Sequence, residues 1–404
     1  MTRKLNNWIE SYLKYADHTE APKRMHFWAA VSVIAGALRR KVWIDQTYFR
    51  WYPSFYIIFV AKPGVVSKTT TLDIGMDLLR EIPGIKFGPD ILTWQSMMTT
   101  FAGSCESFEY NGMMLPMSPI TFASGELGNL IDPQNKDLIN LMITLWDGKK
   151  KIEKTTKGSG NDTIESPWIN MIAATTPHWI ADNMPAATVG GGFTSRCVFV
   201  YAEKKERYIP YPKLEVKDTD EQLRLDLLDD LNNISLNMVG EMELTREAVE
   251  WGMEWYERNW STRSEVLEDE RLDGYVARKQ THLHKLAMIL SASRSNDLLI
   301  TRDDLQLAEI MLNETEEDLS KVFSRIGRSA ESIQFEGFLT TIKKRGLIPY
   351  EEAYRIVHQS YQDFSNFEDH VTGAIRAGYI EIAVRGTKTF LKWKLEGADK
   401  SYGL

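Results

Sequence analysis

One segment, residues 55–80, constrains the fold more than any other part of the chain. Phe55–Val60 is an unbroken apolar run, which is typical of a strand that is buried on both faces of a sheet. Thr69–Arg80 has the periodicity of an amphipathic helix, and a short loop separates the two. A buried strand, a short loop and a helix in this order predict an α/β domain.

The loop is nearly a phosphate-binding loop, whose pattern is a glycine, four residues and then Gly-Lys-Ser/Thr. Lys68 is placed to reach the β and γ phosphates, Thr69 to hold magnesium, and Gly64 to supply a positive φ in the bend. Ala61 and Ser67 replace the two outer glycines. The alternative is a strand-to-helix turn with a surface lysine. The predicted nucleotide contacts are Pro63, Gly64, Val65, Val66, Ser67, Lys68, Thr69 and Thr70.

An acidic residue follows the apolar run Ser118–Ser124, where an ATPase places the carboxylate that orients the attacking water. That residue is Glu126, which we predict to be the general base and, with Thr69, a magnesium ligand. The aspartate that usually precedes such a glutamate is absent, since Ser124 and Gly125 stand there. The alternative is that Glu126 only caps the helix that begins at Leu127.

Two hydroxyl residues end the apolar run Trp168–Ala174. Ring ATPases place a polar residue here that senses the γ phosphate, so Thr175 is a predicted catalytic residue, with Thr176 as the other candidate. The alternative is that the two hydroxyls only satisfy the end of a strand.

A glycine-rich loop, residues 190–192, leads to Arg196 immediately before the apolar run that starts at Cys197. Because arginine is rarely buried, we expect Arg196 to point out from the end of the sheet. One function for it is an arginine finger that reaches the nucleotide of a neighbouring subunit. The alternative is a surface salt bridge.

The wider organisation agrees with an α/β chain. Apolar runs alternate with helical stretches from about residue 53 to 203, which favours a three-layer domain with a mostly parallel sheet. Residues 214–325 have a helical pattern, and helices followed by a two-stranded hairpin, typical of a winged helix, start near Ser332. The net charge of −8 and two distant cysteines indicate neither a broadly basic surface nor a disulfide framework.

With these motifs in order, the chain resembles the AAA+ helicase-type ATPases of phages and mobile elements, including the helicase parts of primase-helicases. More distantly it is similar to the minichromosome-maintenance ring helicases. The resemblance rests on AKPGVVSKTT, ITFASGELG, WINMIAATTP, GGGFTSRCVFVYAEK and DGYVARKQTHLHKLAMILSA. It implies a homo-oligomeric, hexameric ring with ATP and Mg²⁺ between subunits, and Arg278 as the lid arginine called sensor 2. By periodicity alone, residues 275–290 are an amphipathic helix.

The sequence pattern divides the chain into a helical N-terminal region (1–50), an α/β core (51–213), a helical region (214–328) and a C-terminal winged helix (329–404). The resemblance covers about residues 20 to 315, and it implies that the core is a three-layer P-loop AAA+ ATPase and that 214–328 is its helical lid.

A basic hairpin is predicted between the acid and the hydroxyl motifs. Residues 149–157 hold five lysines and one glutamate, a local charge of +4, and β-prone arms flank the glycine-rich tip 158–161. Related ring helicases grip DNA with such a hairpin in the central channel, although a solvated surface hairpin is the alternative. The candidate DNA-binding residues are Lys149, Lys150, Lys151, Lys154 and Lys157.

The expected function is an ATP-dependent DNA helicase or translocase in phage or mobile-element replication. It would act on single-stranded or forked DNA, with a primase or other replication proteins as candidate partners, in the cytoplasm of a bacterial host and without a membrane. One alternative is an ATP-switched replication initiator or helicase loader that binds DNA without unwinding it. Another is an ATPase that remodels proteins.

Overall fold

We describe a computed structural model of the chain, over residues 3–156, 160–184, 191–263, 265–323, 330–361 and 363–394. The chain forms two compact units, Met1–Ile326 and Gly327–Leu404. The predicted boundary between residues 328 and 329 lies outside the described residues.

The first unit combines helices with short strands. Its helices are α1 (Trp8–Tyr15), α2 (Lys23–Leu38), α3 (Lys68–Arg80), α4 (Trp94–Gly103), α5 (Leu127–Leu130), α6 (Lys136–Trp146), α7 (Pro177–Asn183), α8 (Asp218–Asn237), α9 (Arg246–Ser261), α10 (Asp273–Val276), α11 (Lys279–Arg294), α12 (Arg302–Glu316) and α13 (Leu319–Phe323). Its strands are β1 (Val42–Asp45), β2 (Arg50–Trp51), β3 (Tyr56–Val60), β4 (Glu106–Tyr110), β5 (Met113–Ser124), β6 (Lys151–Thr156), β7 (Gly160–Glu165), β8 (Pro167–Thr175), β9 (Cys197–Tyr201), β10 (Gly240–Glu241), β11 (Glu243–Leu244) and β12 (Leu299–Ile300). In the described part of the chain, no helix has the length and apolar character needed to cross a membrane.

A five-stranded sheet with the order β4-β5-β8-β3-β9 forms the centre of this unit. The strands β5, β8, β3 and β9 are parallel to one another, and β4 is antiparallel to β5. A short segment around Phe87 also runs parallel to β5 beside Thr121. The predicted apolar runs are therefore confirmed as neighbouring strands, and the α/β fold class is confirmed with them.

The sheet is covered on both faces because side chains alternate along each strand. On β3, Ile57 and Phe59 pack in one apolar cluster, and Tyr56, Ile58 and Val60 pack in another. Helix α2 is buried on almost every side in the first cluster, as expected for a helix that is apolar all round.

The helices after residue 214 share this core. Leu231 of α8, Trp255 of α9 and Leu286 of α11 belong to the same cluster as Trp28 and Phe59. Residues 214–323 therefore pack with the preceding part of the chain as one unit. Their short strands β10, β11 and β12 were not predicted, since two-residue strands leave no period in the sequence.

The second unit has its own core. Its elements are α14 (Ala330–Arg345), β13 (Leu347–Pro349), α15 (Tyr350–Val357), α16 (Phe364–Arg376), β14 (Ile380–Arg385) and β15 (Lys388–Trp393). The predicted helices and hairpin are confirmed, and β13 adds a third strand in the order β13-β15-β14. Ile348, Leu391 and Ile380, one from each strand, are buried against the helices.

Candidate functional site

The loop, the acid and the hydroxyl predicted from the sequence meet at one edge of the sheet. Val60 pairs with Thr175, and Ser124 pairs with Ala173, so β3, β8 and β5 end side by side. The amide of Ala61 donates to the carbonyl of Thr175 at 3.4 Å, which ties the loop to β8. Ligands of open α/β sheets bind at the carboxyl ends of parallel strands, so this edge is the candidate nucleotide site.

The loop has the bend and the helix terminus that were predicted. Gly64 has φ 68°. Ser67 is the N-cap residue of α3 and its side chain makes no capping hydrogen bond, so first-turn amides lack the partner that a capping side chain supplies. The Lys68 ammonium donates to the carbonyl of Ala61 at 2.9 Å. Burial lowers the pKa of Lys68, and the nearby Glu126 carboxylate opposes that shift. The backbone amide of Lys68 donates to the carbonyl of Val66 at 2.8 Å. Because this amide already has a partner, it could contact a phosphate only after a local rearrangement of the loop.

Thr69, one of the two predicted magnesium ligands, lies close to Gly125, which directly precedes the other predicted ligand, Glu126. A Cβ atom on Gly125 would lie 3.0 Å from Cγ2 of Thr69 and 3.2 Å from its hydroxyl, so the glycine allows the helix to approach the end of β5. Glu126 is exposed and is the N-cap residue of α5, but its side chain makes no capping hydrogen bond. The Ser124 hydroxyl donates to the Glu126 carbonyl at 2.9 Å and does not replace the absent aspartate. Within the described residues, no cluster of three or more His, Cys, Asp or Glu could hold a metal ion.

The two hydroxyls at the end of β8 differ in their bonding. The Thr176 hydroxyl accepts from the amide of Trp179 at 3.1 Å and caps α7. Thr175 is 2% exposed, and its hydroxyl is buried without a hydrogen-bond partner among the described residues. A buried polar group without a partner is costly, and a bound ligand is one partner that can satisfy it. The structure therefore separates a capping residue, Thr176, from a candidate ligand-binding residue, Thr175.

Arg196 lies at the opposite edge of the sheet and is buried, so the expectation that it points out is wrong. It precedes β9, whose first residue Cys197 pairs with Tyr56 at the start of β3. Its guanidinium holds both oxygens of Asp147 at 2.7 and 2.8 Å. Arg196 is 5% exposed, and it is satisfied by this carboxylate and by the Gly192 carbonyl. A bidentate carboxylate partner is what allows an arginine to be buried here.

Arg278 belongs to the same edge as Arg196 and not to the loop edge. Burial lowers its pKa, the nearby Arg196 lowers it further, and Asp147 opposes the shift. The Arg278 guanidinium donates to the carbonyl of Gly274 at 3.0 Å. Within one chain, Lys68, Thr69, Glu126 and Thr175 therefore lie together at the carboxyl ends of the parallel strands. Arg196 and Arg278 lie together at the opposite ends of these strands.

Two further basic groups lie buried beside Arg196. The His282 ring contacts the carbonyl of Ser195 at 3.1 Å, and burial lowers its pKa to about 3. The Lys285 ammonium donates to the Ser54 hydroxyl at 3.1 Å and lies 3.5 Å from the centre of the Trp146 ring. Burial lowers the pKa of Lys285 well below its usual value. The Asp147 carboxylate is the acidic group in contact with this cluster.

The predicted basic hairpin is confirmed as the antiparallel pair β6–β7. Arg40 donates to the carbonyls of Gly148 at 2.8 Å and Pro167 at 2.5 Å, and so bridges the two ends of the hairpin. Lys149 and Lys150 are exposed, whereas Lys151 pairs with Glu153 at 2.5 Å and Glu165 at 3.7 Å. The backbone of Lys154 lies in β6, and Lys157 lies outside the described residues.

A cavity of about 410 Å³ is lined by residues of α9, α11 and α12, among them Trp255, Lys279 and Asn313. Two of its ionisable groups, Lys279 and Glu316, form a buried ion pair at 2.7 Å. The Tyr275 hydroxyl also donates to Glu316 at 2.9 Å, and Asn313 accepts from Lys279 at 3.0 Å. This cavity is therefore a weaker candidate site than the loop edge.

Comparison with known proteins adds no family assignment. No protein-family model matches the chain, and no curated protein is significantly similar to it.

Sequence reasoning missed Asp147 and Arg40. Asp147 binds Arg196, and Arg40 binds the carbonyl of Pro167, so each partner is distant in sequence. A single charged residue gives no local signal in the sequence for such a pairing.

Proposed function

We propose that this chain is a P-loop ATPase of the AAA+ type that forms a ring and moves on single-stranded DNA. The observation that carries the proposal is the meeting of Lys68, Glu126 and Thr175 at the carboxyl ends of three adjacent parallel strands. The order β5-β8-β3-β9, with a parallel segment at Phe87 outside β5, supports an AAA+ core. The loop with Lys68, the acid Glu126 and the hydroxyl of Thr175 occur along the chain in the order that such an ATPase requires.

Each group at this edge has a defined task. The Lys68 ammonium would leave the Ala61 carbonyl and contact the β and γ phosphates of ATP. Glu126 would accept a proton from the attacking water, since its carboxylate is exposed at the strand end. The unpartnered Thr175 hydroxyl would donate to the γ phosphate, where a fixed donor stabilises the charge that develops.

Magnesium would be held by the Thr69 hydroxyl with Glu126, and it would neutralise phosphate charge. The close approach of Thr69 to Gly125 fits this arrangement.

The two arginines support a site shared between subunits. Arg196 and Arg278 lie at the amino-terminal ends of the parallel strands, whereas the proposed nucleotide site lies at their carboxyl ends. The two arginines therefore do not reach the nucleotide of their own chain. A neighbouring copy in a closed ring would present its loop edge to them. In that assembly Arg196 would exchange Asp147 for a phosphate.

The hairpin β6–β7 is the proposed DNA contact. Exposed Lys149 and Lys150 lie next to Asp147, the partner of Arg196, so the hairpin base is bonded to the proposed finger. Lysines of this kind would contact phosphates and make binding dependent on salt. In the second unit, the order of helices and strands supports a winged helix. A primase or another replication protein is a candidate partner.

Two measurements test the proposal. ATP hydrolysis is measured with and without single-stranded DNA, and strand separation is measured on a forked duplex. We expect DNA to stimulate hydrolysis and ATP to be required for unwinding. DNA-independent hydrolysis without unwinding would contradict the motor.

A specific observation favours a second candidate, an ATP-switched initiator or loader. Ser124 and Gly125 stand where the usual aspartate would precede Glu126, and the Ser124 hydroxyl is occupied by the Glu126 backbone. With fewer carboxylates for the metal, turnover would be slow, and ATP would serve mainly for assembly. ATP-dependent DNA binding together with slow hydrolysis and no strand separation would identify this function.

A further inference from the structure

The second unit has a sheet with one covered and one open face. Side chains alternate along β15, so Leu391 points to the helices while Lys388, Phe390 and Lys392 share the outer face. The cross-strand neighbours on that face are Arg385, Ala383 and Glu381 of β14, and Pro349 and Leu347 of β13.

This outer face is basic, in contrast to the negative chain. Arg385 and Lys388 pair across the tip of the β14–β15 hairpin, and both are exposed. Lys394, two residues after Lys392, is also exposed. The Lys392 ammonium donates a hydrogen bond to the Glu381 carboxylate at 2.8 Å. Four basic groups and one acid give this surface a charge of 4 − 1 = +3.

Phe390 lies at the centre of the basic face. It is part-buried between Lys388 and Lys392 along its strand, and its neighbours across the sheet are Ala383 and Pro349. Among the described residues, Phe390 belongs neither to the core of the second unit nor to the side chains packed against it. An aromatic ring flanked by lysines on an open sheet suits base stacking with phosphate contacts on either side.

The third helix of the unit carries two acids and one base, Arg376, and so a net charge of −1. Glu368 and Asp369 of α16 are both exposed, and they would face phosphates if this helix entered a DNA groove. The open sheet face is therefore better suited to a nucleic acid than the helix is. Because duplex bases stack on each other, a free aromatic platform favours a single strand.

We propose that the outer face of β13–β15–β14 binds single-stranded nucleic acid. Bases stack on Phe390, and the backbone contacts Arg385, Lys388 and Lys394. This binding needs no nucleotide and no second subunit. It goes beyond the ATPase proposal, since it assigns a second strand-binding site to a separate compact unit.

The test uses the full chain in a background in which Lys149, Lys150 and Lys151 are replaced by alanine, so that the proposed hairpin contributes little. Fluorescence anisotropy with a labelled oligo-dT of about 16 nucleotides measures Kd at several salt concentrations without ATP. The variants are Phe390→Leu, which keeps an apolar side chain but removes the ring, and Arg385→Gln with Lys388→Gln. The matched control is Arg355→Gln, which removes an exposed charge from α15 in the same unit.

We expect Phe390→Leu to weaken binding roughly 5- to 100-fold. The Arg385→Gln, Lys388→Gln variant should flatten the salt dependence by about 0.7 unit of slope for each phosphate that is no longer neutralised. Arg355→Gln should bind as the background does. Background binding that is absent, that prefers duplex, or that is unchanged by Phe390→Leu would overturn the proposal. An equal weakening in Arg355→Gln would also overturn it.

Discussion

Arg196 and Asp147 form a bidentate ion pair that joins the start of β9 to the base of the lysine hairpin. The guanidinium nitrogens lie 2.7–2.9 Å from the carboxylate oxygens. The arginine side chain is 6% exposed and the aspartate side chain is 41% exposed, so water screens the pair from one side only. The pair connects the proposed trans-acting arginine with the proposed DNA contact.

We predict that this pair stabilises the fold more than a surface pair does. A double-mutant cycle with Arg196→Met and Asp147→Asn, measured by urea unfolding, should give a coupling energy of about 1–2 kcal/mol. The control cycle removes the exposed pair of Arg246 and Glu250, which has a similar distance of 2.8 Å. There we expect about 0.5 kcal/mol or less. Equal coupling energies in the two cycles would contradict a structural role for Asp147.

Thr175 and Thr176 should respond in opposite ways to replacement by valine. Thr175→Val removes a buried hydroxyl without a partner, so the free energy of unfolding should rise by about 1 kcal/mol. Its kcat should fall about 100-fold, because a phosphate donor is removed. Thr176→Val removes the cap of α7 and should lower stability by about 1 kcal/mol with little change in kcat. The same effect on kcat in both variants would refute a distinct role for Thr175.

Stability should decrease in acid because His282 is buried in its neutral form. Burial is the main cause of its lowered pKa, and Lys285, Arg278 and Arg196 add to the shift. Between the folded value of about 3 and the ordinary value of 6.5, the unfolded chain binds one more proton at this residue. The free energy of unfolding should therefore fall by about 1.4 kcal/mol for each pH unit below 6.5 from this residue alone.

Urea unfolding from pH 7 to 4 checks this dependence with a matched pair of variants. His282→Gln should reduce the slope by about one proton, whereas the control His178→Gln, whose side chain is 77% exposed, should not change it. Buried His26 and His284, each with a pKa of about 4, should maintain part of the slope in both variants. Identical slopes in the wild type and His282→Gln would contradict the assignment.

The hairpin lysines should differ in their effect on DNA binding. Lys149 and Lys150 are exposed, whereas Lys151 already has two carboxylate partners on its own hairpin. Replacing Lys149 and Lys150 with alanine should lower the salt slope of single-strand binding by about 0.7 for each lysine. Lys151→Ala should lower it less. A larger effect at Lys151 would place the strand on the other side of the hairpin.

The sequence predicted the parallel strands of the central sheet well because they are mostly apolar runs. Phe55–Val60 and Trp168–Ala174 are buried on both faces, and such runs are recognisable without knowledge of their partners. The loop and its edge residues could also be predicted, since the carboxyl ends of neighbouring parallel strands must meet. The antiparallel strand β4 was not predicted, because its alternating polar residues give a weak signal.

The burial of Arg196 could not be predicted from the sequence. Its burial depends on Asp147, which is distant in sequence and close only after the sheet forms. The position of Arg278 beside Arg196 could not be predicted either, because it depends on how α10 and α11 pack. Long-range partners of single charged residues leave no period in the chain, and only the packed structure identifies them.

The most direct test of the central claim is ATP hydrolysis by two single-lysine variants of the loop. Lys62 and Lys68 lie six positions apart, but only Lys68 begins α3 and bonds across the loop to Ala61. We predict that Lys68→Ala loses hydrolysis, while the wild type and Lys62→Ala, whose lysine is exposed, keep it. Hydrolysis by Lys68→Ala at the wild-type rate, or a wild type that neither binds nor hydrolyses ATP, would contradict the claim.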